Sequence, residues 1–190
     1  MKHIAIFASG SGSNAENIIN FFKGDSSAGV RLVLSNKADA YVLSRANKLS
    51  VKTCVFNSEE FTSSDGVIKV LAKHNIDLIV LAGFLWKVPS ILLDKYTGKI
   101  INIHPSLLPK YGGKGMYGKF VHNAVLMNKE KESGITIHYV NKNYDEGDII
   151  FQAKCEVSDE DNVNDLASKI HNLEMEYFPS VIQTVLLKDE

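Results

Sequence analysis

Five short, mostly apolar runs, Ile4–Ala8, Val30–Leu34, Lys52–Phe56, Leu78–Leu81 and Ile100–Ile103, punctuate the first hundred residues at near-regular intervals. Runs that are apolar on consecutive positions are strands buried on both faces, as in a parallel sheet covered by helices. The stretches between them, Asn14–Phe22, Ala40–Leu49, Phe61–His74 and Ser90–Tyr96, carry apolar residues three and four apart and predict helices. The resulting β-α-β order specifies an α/β fold, an open, mostly parallel Rossmann-like sheet with helices on both faces. Beyond it, Met116–Asn128 predicts a helix, Gly134–Val140 and Ile149–Val157 predict two strands, and Val163–Leu187 predicts a long helix that Pro179 should kink or interrupt. No linker-like composition separates these segments, so residues 1–190 are expected to form a single domain, with halves of about 1–100 and 101–190.

Composition narrows the function. Lys and Arg (21) balance Asp and Glu (22), which removes the main electrostatic argument for a nucleic-acid or anionic-membrane binder. Cys54 and Cys155 stand alone, without metal-ligand spacing, so no metal site and no disulfide is expected. The apolar run after Met1-Lys2-His3 is too short for a signal peptide or a membrane span, and a cytoplasmic location is expected.

In an open α/β sheet, ligands bind beyond the carboxyl ends of the strands. After the first strand, Ser9-Gly10-Ser11-Gly12-Ser13-Asn14 opens a helix, where free N–H groups and the helix dipole favour a phosphate. Gly10 to Ala15 also match the dinucleotide fingerprint G-x-G-x-x-A. The acid that should follow the second strand is missing, because Ser35-Asn36-Lys37 stands there. A phosphate monoester suits Ser11, Ser13 and Asn14 better than a dinucleotide does. The alternative is a plain tight turn with Ser13 or Asn14 capping the helix.

The fifth strand ends Asn102-Ile103-His104-Pro105, and alternation puts Asn102 and His104 on one face at the ligand edge. An imidazole moves protons near neutral pH, and an amide beside it can donate to a developing oxyanion, a pairing suited to acyl transfer without a nucleophile. The polar loop 141–148 contains Asp145 and Asp148, either of which can orient an imidazole. His3, His74 and His122 fit surface settings, and His138, inside a strand, reads as structural.

The segments Gly10-Ser11-Gly12-Ser13-Asn14, Ser35-Asn36-Lys37-Ala38-Asp39-Ala40, Leu81-Ala82-Gly83-Phe84, Asn102 through Tyr111 and Asp145-x-Gly147 together resemble the folate-dependent formyltransferases, and among them those acting on phosphoribosylglycinamide. The resemblance covers almost the whole chain. It implies formyl transfer from 10-formyltetrahydrofolate, a cosubstrate, to the primary amine of glycinamide ribonucleotide in purine biosynthesis, with no metal. It implies Asn102, His104 and Asp145 as the catalytic trio, with Asp145 taken as the first residue of D-x-G. Gly12, Ser13 and Asn14 match positions that hold the nucleotide phosphate, and Glu174 matches a carboxylate that binds the ribose. Leu85, Trp86, Lys87 and Val88 match a segment packed on the folate, with Asn102 beside it, and Asn141, Lys142, Asn143, Tyr144 and Asp145 match a loop closing over it. Trp86 stands where an Arg is common, and Ser64 lies near where another Arg often meets the folate tail. The run Gly112–Gly118 is longer than in many members and reads as a flap. The partners implied are small molecules, reduced folate and nucleotide, for a monomer or homodimer.

Two alternatives remain. A formyltetrahydrofolate hydrolase or another N-formyltransferase would use the same trio, although such relatives usually carry a further domain. A non-catalytic dinucleotide-binding module would use the first loop and leave the trio without a role.

Overall fold

A computed structural model describes residues 1–188 of the chain. Seven strands are β1 (Lys2–Phe7), β2 (Ala28–Ser35), β3 (Lys52–Val55), β4 (Leu78–Leu81), β5 (Ile100–His104), β6 (Glu132–Tyr139) and β7 (Ile149–Glu156). They form one sheet in the order β3-β2-β1-β4-β5-β6-β7. β1 runs parallel to β2 and β4, β2 runs parallel to β3, and β7 runs antiparallel to β6. The helices are α1 (Ser13–Phe21), α2 (Tyr41–Lys48), α3 (Ser58–Thr62), α4 (Val67–Lys73), α5 (Ser90–Lys95), α6 (Lys119–Met127) and α7 (Val163–Lys188).

The described residues divide into two compact units, Met1–Ile101 together with residues 182–188, and Asn102–Val181. In the first, Ile4, Ala5, Ile6 and Phe7 of β1 are all buried, as are all four residues of β4, which fits strands covered on both faces. In the second, β7 alternates between exposed and half-buried residues, the pattern of a strand with one face toward water.

Two expected elements differ. The single helix over Phe61–His74 is two helices. Asn57 and Glu60 form a reciprocal capping box that starts α3 early, and the chain breaks before Gly66. A side chain at Gly66 would place its Cβ 1.9 Å from the Glu60 carbonyl oxygen, so only glycine permits this close return. Pro179, expected to kink or interrupt the last helix, does not interrupt it: it lies inside α7, which continues to Lys188.

Candidate active site

Within the second unit, β5 delivers Asn102 and His104 to one face while Ile103 is buried between them. His104 is 4% exposed. Its Nε2 lies 2.8 Å from the Tyr111 carbonyl oxygen, and its Nδ1 lies 3.5 Å from Asp145 Oδ2. A carbonyl only accepts, so Nε2 carries a hydrogen, and in the neutral ring Nδ1 is bare and faces the carboxylate. The Gly113 N–H donates to the same Asp145 Oδ2 at 2.8 Å.

The Asn102 side chain donates from Nδ2 to His138 Nε2 at 3.1 Å, and His138 Nδ1 donates to its neighbour's carbonyl, Tyr139 O, at 2.8 Å. These two bonds fix the His138 tautomer and aim the Asn102 amide, leaving the second Nδ2 hydrogen for another acceptor. His138 Nε2 also lies 3.7 Å from Asp145 Oδ1. His138 is thus part of the cluster, not the purely structural residue its strand position suggested. The available sign was Thr136 and His138, polar at alternate positions on one face of an apolar strand.

Electrostatics separate the members. Burial pushes His104 below its ordinary value, outweighing the Asp145 charge and the Tyr111 bond, which act upward, while the neighbouring His138 ring adds to the fall. Burial acts to raise Asp145, but proximity to the His138 ring, the charge His104 carries when protonated and the Gly113 N–H prevail and hold it below the usual carboxylate range. At neutral pH the pair therefore rests as a carboxylate beside a neutral imidazole, and a proton gained at Nδ1 completes an ion pair.

Gly147 explains the D-x-G spacing. Its Cβ position would lie 1.7 Å from the Tyr139 carbonyl oxygen, and Tyr139 N donates to Asp148 O at 2.9 Å, so the loop closes tightly back on β6. That closure presents Asp145, at φ 55°, to His104, while Asp148 contributes its main chain to the strand end. Asn141, Lys142, Asn143 and Tyr144 are exposed on this loop. Asn141 donates to the Glu146 carbonyl, and Asn143 Nδ2 donates to the Glu146 carboxylate at 2.7 Å. Gly112 lies against Leu108 and Asp145, and Gly113, Gly115 and Gly118 all take positive φ on the way into α6. Glu174 on α7 faces His171, with Oε2 3.6 Å from Nδ1.

Within the first unit, β1 and β4 are the neighbours at which strand order reverses, and the loops after them meet. Ser9 joins them: its N–H donates to Gly83 O, its hydroxyl donates to Asn36 Oδ1 at 2.7 Å, and it accepts from Leu85 N. Gly12 precedes α1 in a left-handed conformation (φ 77°), with no side-chain cap, so neither Ser13 nor Asn14 serves as the helix cap. The Gly12 Cβ position would fall 2.5 Å from the Val42 side chain, so this glycine is required by the packing of α2. Arg45 donates from Nε to Ser11 O at 3.0 Å and pairs with Glu16, which brings a cation beside the loop. Leu85 and Lys87 are exposed and Val88 is buried. Trp86 packs edgewise on Phe56 and Phe84 and, tilted, on Phe61, with ring centroids 6.0, 6.4 and 6.0 Å away.

Among the described residues, no group of three or more His, Cys, Asp and Glu side chains is placed to hold a metal ion, and no helix is long and apolar enough to cross a membrane. The formyl transferase family matches residues 2–182. The phosphoribosylglycinamide formyltransferase of Bacillus subtilis (strain 168) is 37% identical over 191 residues, covering 98% of this chain and 95% of that protein. That of Haemophilus influenzae is 37% identical over 188 residues, covering 96% of this chain and 86% of that protein. A crystal structure of the enzyme of the same name from Bacillus halodurans superposes with a TM-score of 0.88 at 36% identity, covering 100% of this chain and 97% of that one. With the sequence match, the sheet order and the full-length superposition in agreement, this chain belongs to the formyl transferase family.

Proposed function

We propose that this protein transfers the formyl group of 10-formyltetrahydrofolate to the primary amine of glycinamide ribonucleotide, with Asn102, His104 and Asp145 as its catalytic residues. The observation that carries the residue assignment is His104 held between the Tyr111 carbonyl and the Asp145 carboxylate, on the face it shares with Asn102. The relatives named above support the choice of substrates.

The amine nitrogen attacks the formyl carbon, forming a C–N bond while the carbonyl electrons move onto oxygen. The spare Asn102 N–H donates to that oxyanion. His104, neutral at rest, takes the proton shed by the amine at Nδ1, directly or through an ordered water, and Asp145 stabilises the imidazolium. Collapse of the tetrahedral species breaks the bond to folate N10, which receives the proton. The products are the formylated amide and tetrahydrofolate, with no covalent enzyme intermediate.

Gly12, Ser13 and Asn14 bind the nucleotide phosphate at the start of α1, where the positive end of the helix dipole favours an anion. Glu174 binds the ribose hydroxyls. Leu85–Val88 and Asn141–Tyr144 contact the folate. A donor carrying ¹³C in the formyl group tests the reading: the label should appear on the nucleotide amine only when both substrates are present. Release of labelled formate without nucleotide, with no labelled amide when nucleotide is added, would show a hydrolase instead.

A further inference from the structure

The main-chain carbonyl that holds His104 comes from a residue in an unusual conformation. Tyr111 has φ 59°, a left-handed backbone that a bulky side chain adopts only when its surroundings impose it. The loop leading to it is pinned firmly at its start. Thr136 Oγ1 donates to Ser106 O and accepts from Leu108 N, and Gln152 Nε2 donates to both Leu108 O and Thr136 Oγ1. The far end is less supported by packing, because a cavity of about 260 Å³ lies against the loop, lined by Leu107, Pro109, Tyr111, Glu130 and Ser133 among others. Hydrogen bonds hold it instead. Ser106 Oγ donates to Lys110 O at 2.7 Å, and the Tyr111 hydroxyl donates to Glu130 Oε1 at 2.9 Å, the same carboxylate that receives Lys110 Nζ.

We propose that Glu130 is a positioning residue for His104, acting through Tyr111: by accepting the Tyr111 hydroxyl hydrogen it holds residue 111 where its carbonyl accepts from His104 Nε2. Lys110 is largely exposed, so its ion pair with Glu130 contributes little, and the charge-assisted bond from the tyrosine is the anchor. The groups facing His104 are Asp145 and His138, and those facing Glu130 are Lys110 and Tyr111. Release of the carbonyl frees the ring to turn, so that Nδ1 no longer stays opposite Asp145. It also removes a bond that favours the protonated ring, so His104 titrates at lower pH.

The inference rests on the catalytic role proposed for His104, but its first readout does not. Tyr111→Phe deletes one oxygen atom, and His104 is followed by NMR titration in this variant, in Glu130→Ala and in Glu130→Gln. The titration should move to lower pH in the first two and stay near wild type in Glu130→Gln, whose amide oxygen still accepts from the hydroxyl. In the transfer assay, Tyr111→Phe and Glu130→Ala should lose at least about tenfold in kcat, the lower end of one charge-assisted hydrogen bond, with KM for both substrates within about twofold. The double variant should be no worse than the worse single. An unchanged His104 titration in Tyr111→Phe, or a loss confined to KM, overturns the proposal. If the wild type transfers no formyl group, the substrate reading fails while the titration still decides the positioning.

Discussion

Asp145→Asn removes one charge and almost no volume, and the structure sets the scale of the loss. The carboxylate sits 3.5 Å from His104 Nδ1, so at an effective dielectric near 20 the attraction for an imidazolium is about 5 kcal/mol before desolvation is subtracted. A charge-assisted hydrogen bond nets about 1.5–3 kcal/mol, which corresponds to about 10- to 150-fold in rate. The attraction is absent when His104 is neutral and appears only as it takes the proton, so the loss belongs in kcat, with nucleotide affinity changing less than about threefold. The imidazole acts as a base, so kcat should fall on the acid side. Removal of the carboxylate lowers the His104 titration further, and that acid limb should move to lower pH. Steady-state kinetics across pH, with NMR titration of His104 in both proteins, measure both effects. A rate within twofold of wild type, or an unmoved His104 titration, refutes the reasoning and points to Asp148.

Asn14→Asp places a negative charge where the nucleotide phosphate is expected, so calorimetry should show at least about a tenfold loss of nucleotide affinity and little change for a folate analogue; equal loss of both removes the phosphate assignment. Trp86, the only tryptophan, should change its emission when a folate analogue binds and much less with nucleotide, and an unchanged spectrum at saturating folate places the indole outside that site. Gly147→Ala should cost about 1–3 kcal/mol of stability, read by urea unfolding, because its Cβ meets the Tyr139 carbonyl, and a neutral result would show that the loop closes differently. His122, expected at the surface, is buried on α6, and burial lowers both it and His104, so the unfolded chain binds more protons below a pH of about 6.5, and stability should fall as pH drops through that value toward the lower folded ones. Each histidine contributes at most about 1.4 kcal/mol per pH unit, and His122→Phe should flatten the curve of urea midpoint against pH; an unchanged slope contradicts the burial argument.

The strand runs of the first hundred residues were legible because burial on both faces leaves a continuous apolar signature, as in Ile4 to Phe7 and Leu78 to Leu81. Asn102 and His104 were legible as a pair because alternation along a strand is a local rule. His138 was not: its meaning depends on Asn102, thirty-six positions away, whose amide it receives. The preference for Asp145 over Asp148 came from the family pattern alone, since spacing cannot show that Gly147 packs on Tyr139 and turns the first acid inward. The break at Gly66 likewise follows from a contact with the Glu60 carbonyl that no helical periodicity reveals. The missing side chain of Gly12 leaves room for Val42, a tertiary neighbour that the loop's own sequence does not reveal. Gly12→Val would therefore disturb α2 as well as the loop, which makes Asn14→Asp the cleaner probe.

The central claim is that Asn102, His104 and Asp145 perform formyl transfer, and the most direct measurement is kcat for glycinamide ribonucleotide and 10-formyltetrahydrofolate in the wild type, His104→Ala and Asn102→Ala, with nucleotide affinity determined in parallel. Loss of acid–base assistance or of the oxyanion donor should lower kcat by about a hundredfold or more, while nucleotide Kd stays within about threefold. Either variant turning over within twofold of the wild type would contradict the account.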